Sequence, residues 1–296
     1  MKFIRLLPVL LLVVAAAARA DEVGAFIAKA RAAVGSEAVL AKVESVHYTG
    51  TVELPDAKAG KTRIDVLFQN PNRQRVTVTT DTGDQTTGLD EYSAWVREQR
   101  PNDPKYPRLG LLGVQQVRRM RANTWENLAF YGGIEQVNGH VEDAGTVQLD
   151  GQPARKLIFW HDSEVFFARW FDPVTGQLLM TETDDGNQIR EAGDILAGGL
   201  RFPRQIITVT KAKDGTLNKS TITFDSITVN EPAPASLFAV PLPPLRSAPG
   251  ASGSSPSLPP LTMPPSGSTN GQIPNPTSPP GPTPASPPLF QMPNLK

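Results

Sequence analysis

Apolar and polar residues follow two different periods along this chain. From residues 46 to 100 and again from 141 to 229, apolar residues alternate with polar ones, and each run ends at Gly, Asn, Asp or Pro. This pattern predicts short β-strands joined by tight turns. Over residues 22–34 and 109–131 apolar residues recur every three or four positions, which predicts helices. Because about eleven strands follow one another without alternating helices, we expect an α+β fold with a large antiparallel sheet.

The two helical segments carry apolar stripes that need a surface to pack on. The stripe of the first segment consists of Val23, Phe26, Ile27, Ala30 and Val34. Gly35 ends this helix, and Ser36 is placed to cap a second, short one. In the segment 109–131, Asn123 and Glu126 have the spacing of a capping pair, which predicts that the helix restarts there.

The stretch from residue 151 to 186 holds three short apolar runs separated by turn residues. The central run, 165–171, reads Val-Phe-Phe-Ala-Arg-Trp-Phe and is largely apolar on both of its alternating sides. An antiparallel strand with one solvated face is polar on that face. We therefore expect both faces of this strand to be covered, either by protein or by a ligand.

The first twenty residues have the composition of a secretory signal peptide. Lys2 and Arg5 precede an apolar run over residues 6–18, and Ala-Arg-Ala stands directly before Asp21. The run is too short for a spanning helix, and no later segment approaches ~20 apolar residues. We expect cleavage after residue 20, release into the periplasm and no transmembrane segment in the mature protein. The chain has no cysteine, so we expect no lipid anchor at its new N-terminus.

Residues 241–296 differ from the rest in composition, being dominated by Pro, Ser, Gly and Thr. Such a segment has too little apolar surface to fold, and we expect it to be a disordered tail. It serves either as an inert spacer or as a tether whose end, residues 289–292, docks on a partner. The predicted division is therefore a signal peptide over 1–20, a folded domain over 21–240 and a tail over 241–296.

The charge distribution argues against nucleic acid as a partner. The 29 basic and 29 acidic residues balance over the whole chain. All acidic residues lie within 21–240, whereas five basic ones lie outside it, so the folded domain is mildly acidic. A nucleic-acid-binding domain needs a basic face.

The sequence contains no recognisable catalytic or metal motif. His47, His140 and His161 stand at spacings of no known metal site, and we expect each to be solvated at the surface. The run Asp-Asp-Gly-Asn at 184–187 lacks the ligand ladder of a calcium loop and predicts a hairpin turn. We therefore expect no catalytic residues, no metal, no cofactor and no enzymatic activity.

The chain has more large apolar residues than one sheet face needs. They are either ordinary core beneath the helices or the wall of a cavity between sheet and helices. Aromatic walls with few polar groups suit an acyl chain. The residues that we predict for such a wall are Val66, Phe68, Trp95, Phe159, Phe167, Trp170, Phe171, Met180 and Phe224.

The order of these parts resembles the periplasmic outer-membrane lipoprotein carrier family, with its LolA/LolB-like fold. The stretches that carry the resemblance are Ala33–Leu40 leading into Val46–Gly50, Phe171–Gly176, and Gly199–Pro203 through Phe238. The resemblance implies an incomplete β-barrel of about eleven strands lidded by helices. It also implies an apolar cavity that receives the acyl chains of lipoproteins in transit to the outer membrane.

Two functions remain open at this point. The first is a non-enzymatic periplasmic carrier for acyl chains of lipoproteins or lipids, acting as a monomer. The alternative is a structural or stress-signalling interaction module of the cell envelope. In that case the core is filled, and the Pro-rich tail recruits envelope protein partners.

Overall fold

The strands of the protein join into one antiparallel sheet in a computed structural model that describes residues 22–54, 62–102, 107–212 and 214–242. The sheet has thirteen strands in the order β6-β5-β4-β3-β2-β1-β13-β12-β11-β10-β9-β8-β7. The strands are β1 Ser45–Glu53, β2 Thr62–Gln69, β3 Arg73–Thr80, β4 Gly83–Asp90, β5 Ser93–Gln99, β6 Arg108–Leu111, β7 His140–Leu149, β8 Gln152–Trp160, β9 Phe166–Phe171, β10 Leu178–Thr183, β11 Gln188–Ala197, β12 Leu200–Lys211 and β13 Leu217–Val229. The sheet is open, because β6 and β7 form its two edges. The predicted α+β class is confirmed, with thirteen strands in place of about eleven.

The helices lie on one face of this sheet, which we call the inner face. They are α1 (residues 22–34), α2 Glu37–Leu40 and α3 Val114–Leu128. Two short 3-10 helices occur elsewhere in the chain, at Ile134–Val137 and Ala235–Leu237. The predicted first helix and the short second one are therefore both present. Phe26 of α1 meets Phe171 of β9 edge to face, with 5.9 Å between the ring centroids.

The predicted helix over 109–131 begins later than expected, and its first residues form a strand. In β6, Leu109 pairs with Arg97 and Leu111 pairs with Trp95. Glycine is a poor helix former, and Gly110 and Gly113 interrupt this part of the chain. The helix α3 therefore starts only at Val114, with Gly113 as its N-cap.

The predicted restart of this helix at Asn123 is wrong, because α3 runs without interruption to Leu128. The two polar residues have tertiary partners that outweigh a local cap. The Asn123 amide donates to Gln74 Oε1 on β3 at 3.3 Å. The Glu126 carboxylate binds His161 and Arg169.

Two apolar clusters fill the space between the inner face and the helices. The larger one lies over β1, β2, β12 and β13, where Val46, Tyr48, Phe68 and Phe224 are buried. The second lies beneath α1, over β8 and β9. A register shift between Thr49 and Gly50 leaves Asp225 of β13 without a partner residue in the ladder, which marks a β-bulge.

The outer face of the sheet is covered in two places. On β8–β10 a small cluster buries Ala154, Ala168, Trp170 and Met180, so protein covers both faces of the apolar strand β9. On the other half, residues 230–242 cross the outer face, and we call this segment the strap.

Four side chains hold the strap to the sheet. Ser45 Oγ donates to Glu231 O at 3.2 Å, and His47 Nδ1 lies 2.9 Å from Glu231 Oε2. Gln69 Nε2 donates to Ala233 O at 3.3 Å, and Trp95 Nε1 donates to Phe238 O at 2.8 Å. The strap therefore runs from β1 to β5, and the buried ring of Phe238 anchors it beside Trp95.

Within the described residues, no helix is both long and apolar enough to cross a membrane. The predicted signal peptide (1–20) and the predicted tail from residue 243 onward lie outside the described residues. The domain boundaries at residues 20 and 240 therefore stay predictions.

Candidate functional site

A cavity of about 440 Å³ opens between the inner face and the helices. Helix α1 forms one wall, the end of α3 a second, and strands β10, β11 and β12 the floor. Its apolar lining includes Ala30, Ala33, Val34, Phe130, Leu178, Ile189, Phe202 and Ile206. The volume falls in the range of small-molecule sites, roughly 300–1,000 Å³.

The cavity wall is more polar than the sequence predicts. It includes the carboxylates of Glu126, Glu191 and Asp194 and the guanidinium groups of Arg169 and Arg201. Arg169 and Glu191 share the inner-face parity of their strands with apolar neighbours, whereas Glu126 reaches the cavity from α3. Sequence alternation alone does not reveal which charged residues are enclosed by the helices.

Glu126, Arg169 and His161 form a buried ionic cluster beside the cavity. Glu126 on α3 forms an ion pair with Arg169 on β9, and its other oxygen lies 2.6 Å from His161 Nε2. All three side chains are less than a tenth exposed. Burial acts to raise the pKa of the Glu126 carboxyl, but Arg169 and His161 outweigh it and hold the pKa below its usual range.

The guanidinium of Arg169 is also enclosed by aromatic rings. Its central carbon lies 4.9 Å from the ring centroid of Phe159, 5.0 Å from that of Tyr131 and 5.7 Å from that of Phe167. Cation–π contacts with these rings and the Glu126 carboxylate together compensate for the loss of water around the charge. The cluster therefore ties α3 firmly to the sheet at the cavity wall.

The expectation that His161 is a solvated surface residue is wrong. The turn after β8 does contain it, but the imidazole points inward to Glu126 and stacks edge to face on Phe167 at 5.5 Å. His47 is only partly exposed and lies between Asp65 and Glu231, at 3.0 and 2.9 Å. His140 is exposed, as predicted, and stacks on Trp160.

Arg201 connects the floor of the cavity to α1. Its Nε donates to Ala33 O at 3.2 Å, and its Nη1 lies 3.1 Å from Asp194 Oδ1. Glu191 lies on the neighbouring strand β11 and faces the same cavity. Glu191 is exposed to the solvent of the open cavity, although many protein atoms lie around its carboxyl. Burial therefore raises the pKa of Glu191 to about 7, against the opposing effects of Arg169 and Arg201.

The nine predicted wall residues are buried, but none of them lines this cavity. Six lie on the inner face, packed in the two large clusters: Val66, Phe68, Phe159, Phe167, Phe171 and Phe224. Trp95, Trp170 and Met180 lie on the outer face, where the first contacts the strap and the others belong to the small cluster. Contact of any of the nine with a ligand stays a prediction.

The acidic turn at 184–187 has a structural partner. Asp184 forms an ion pair with Arg119 of α3, and Asp185 lies 3.7 Å from the same guanidinium. In the part of the chain that the structure describes, no group of three or more His, Asp or Glu residues is placed to hold a metal ion.

The charged residues of the cavity wall were missed in the sequence as site residues, and one of them carries a usable signal. Arg169 is the only charged residue in the run 165–171. A charge inside a strand with two apolar faces requires a buried partner. Glu191 has no such signal, because polar residues surround it in the sequence.

Comparisons with known proteins give matches among solved structures only. No family model matches the chain, and no curated protein matches it. A LolA superfamily protein from Nitrosomonas europaea is 16% identical, with a TM-score of 0.46 over 70% of this chain and 98% of that one.

Two further structures show similar overlap. A putative outer membrane lipoprotein-sorting protein domain from Vibrio parahaemolyticus is 10% identical, with a TM-score of 0.44 over 66% of this chain and 89% of that one. The Mycobacterium tuberculosis lipoprotein LppX is 14% identical, with a TM-score of 0.28 over 72% and 98%. The matches thus include the LolA superfamily that the sequence resembles. At identities of 16% and below and TM-scores of 0.46 and below, they say nothing about what this chain binds.

Proposed function

We propose that this protein is a non-enzymatic binding or carrier protein for acyl chains of lipids or lipoproteins, acting in the periplasm as a monomer. The observation that carries the proposal is the cavity of about 440 Å³ between α1, α3 and the sheet. Its apolar lining comes from three separate parts of the chain, so the fold itself creates it. An acyl chain has the shape and the apolar surface that such a space accepts.

The energetics of chain burial support this assignment. Each methylene removed from water contributes about 0.8 kcal/mol. Ordering a flexible chain and losing its free motion oppose binding by several kcal/mol. Burial of roughly ten methylenes contributes about 8 kcal/mol, which is of the same order as this cost, and such a balance suits a carrier that has to release its ligand.

The charged groups near the cavity fit a binding role. The buried carboxylate of Glu126 is engaged by both Arg169 and His161, and Arg201 is engaged by Asp194 and Ala33. These contacts hold helices to the sheet. In this arrangement these paired charged groups hold the cavity walls in place.

A substitution that fills the cavity tests the proposal. Ala33 lines the cavity from α1, whereas the neighbouring Ala32 lies on the exposed side of the same helix. We expect Ala33→Phe to lower acyl-chain affinity at least tenfold, because the ring occupies the space of the chain. Ala32→Phe is the matched control and should bind as the wild type does. Affinity is measured by displacement of a fluorescent acyl probe with a neutral head.

Native mass spectrometry of the full chain, purified from an envelope extract, gives an independent test. Co-purifying lipid that is reduced in Ala33→Phe supports the carrier function. A bare mass in the presence of available lipid, together with equal probe binding by both variants, would favour the interaction module instead.

A further inference from the structure

The charged groups on the cavity wall do not balance. Three carboxylates, those of Glu126, Glu191 and Asp194, face two guanidinium groups, those of Arg169 and Arg201. Arg169 pairs with Glu126, and Arg201 pairs with Asp194. The carboxylate of Glu191 is therefore left over.

Glu191 lies in the middle of the cavity floor. It stands opposite Ile206 of β12 in the ladder and two residues from Ile189, and both of these apolar side chains line the same space. Among the described residues, no hydrogen bond or ion pair reaches its carboxylate. A carboxylate in such surroundings loses part of its hydration without gaining a partner.

The electrostatic surroundings of Glu191 include two guanidinium groups, one other carboxyl group and two phenols. Arg169 on β9 and Arg201 on β12 stabilise its charge from a distance, whereas Asp194 on its own strand opposes it. Burial is the main cause that raises the pKa of the Tyr48 and Tyr131 phenols, and the charge of Glu191 adds to this effect. With both guanidinium groups already paired, the Glu191 carboxylate is the one wall carboxylate without a paired cation.

We infer that the cavity takes an amphiphile whose apolar chain lies along the α1 wall and whose polar end carries a protonated amine, bound by the carboxylate of Glu191. This inference rests on the proposed function and adds the chemistry of the ligand's polar end. The amine supplies both the missing positive charge and the missing hydrogen-bond donor. A neutral hydroxyl supplies only the donor. A carboxylate head places a second negative charge beside Glu191 and is disfavoured.

The test compares three ligands that share one chain and differ in the head: decylamine, decanol and decanoate. Binding to the full-length, delipidated protein is measured by isothermal titration at mildly alkaline pH, below the aggregation threshold of each ligand. Under these conditions the amine is cationic and the Glu191 carboxyl is ionised. We expect decylamine to bind about 10- to 100-fold more tightly than decanol, the range of a hydrogen bond to a charged group, and decanoate to bind most weakly.

Two variants, each of which removes one negative charge, complete the experiment. Glu191→Gln should remove the preference for decylamine while keeping decanol binding within about threefold of the wild type. Glu182→Gln is the control, because Glu182 pairs with Ala168 in the ladder and lies on the outer face. It should leave the preference intact.

The outcomes separate the two proposals. Equal affinities for the three ligands in the wild type, or an undiminished preference for the amine in Glu191→Gln, would overturn the assignment of the head group and leave the carrier function standing. Failure of all three ligands to bind would overturn the carrier function itself.

Discussion

At the residue scale, the ion pair between Glu126 and Arg169 is the interaction on which the cavity wall depends most. Both side chains are buried, and each is the main compensation for the other's lost hydration. The presence of a buried partner for Arg169 follows from the sequence, because an arginine interrupts an apolar run. The identity of that partner does not follow, since Glu126 is 43 residues away and stands in a helix with several other polar residues.

We expect Arg169→Met to lower the free energy of unfolding by about 3–5 kcal/mol, the range for breaking one side of a buried pair. The loss arises because the Glu126 carboxylate stays buried without its principal cation. The measurement is urea unfolding followed by circular dichroism. The double variant Arg169→Met/Glu126→Met should recover a large part of the loss, because no charge is then left unpaired. A single-variant cost below ~1 kcal/mol would contradict the assigned role.

At the scale of elements, the turn between β9 and β10 positions α1 against the sheet. Gly176 adopts a φ of +76°, and its position lies so close to α1 that an added Cβ would meet the backbone nitrogen of Ala30 at 3.0 Å. The turn itself was predictable from Asp-Pro-Val-Thr-Gly. The contact with α1 was not predictable, because no local pattern records which surface a helix meets. The strand β6 was misread for a related reason: its glycines disfavour a helix, but only the pairing with β5 makes the segment a strand.

Two glycine-to-alanine changes separate turn strain from helix docking. Gly176→Ala and Gly186→Ala both force alanine into the left-handed region, which costs roughly 1–2 kcal/mol. Nothing lies within 4 Å of the added Cβ at Gly186, whereas at Gly176 it meets α1. We therefore expect Gly176→Ala to be the more destabilising of the two in urea unfolding. Equal costs would show that α1 does not pack tightly on this turn.

At the scale of the whole molecule, alternation along the chain predicts the open antiparallel sheet well, because a strand with one buried face has period two wherever it lies. The place of the cavity is not predictable in this way. Its walls come from α1, α3 and β10–β12, which meet only in three dimensions. Large aromatic residues such as Phe68 and Phe224 are good predictors of the packed core, whereas the cavity lining mixes aromatic, small and charged side chains.

The pH dependence of global unfolding should report on His47, which joins β1, β2 and the strap. Its hydrogen bond with Asp65 is the main cause that raises the His47 pKa from 6.5 to about 9, and Glu231 adds to the effect against the opposing influence of burial. The folded state thus binds the proton more tightly than the unfolded state does. The resulting stabilisation is fully present below about pH 6.5 and is lost as the pH rises through about 9.

The measurement compares urea unfolding of the wild type and His47→Gln across this pH range. We expect the difference between their unfolding free energies to shrink steadily from pH 6.5 to about 9. In an Asp65→Asn background the shrinkage should occur at lower pH, because the strongest source of the shift is gone. If the unfolding free energies of the wild type and His47→Gln changed in parallel with pH, the role assigned to His47 would be contradicted.

The strap and the cavity lie on opposite faces of the sheet. Phe238 of the strap lies beside Trp95 on the outer face, whereas the cavity opens on the inner face. A sensor chip or resin coupled directly after Leu242 is therefore attached on the side of the strap. The mouth of the cavity then faces the solution. Coupling through α1, by contrast, places the solid support across the entrance. The same domain held in these two ways should load amphiphiles at different rates although its equilibrium affinity is unchanged.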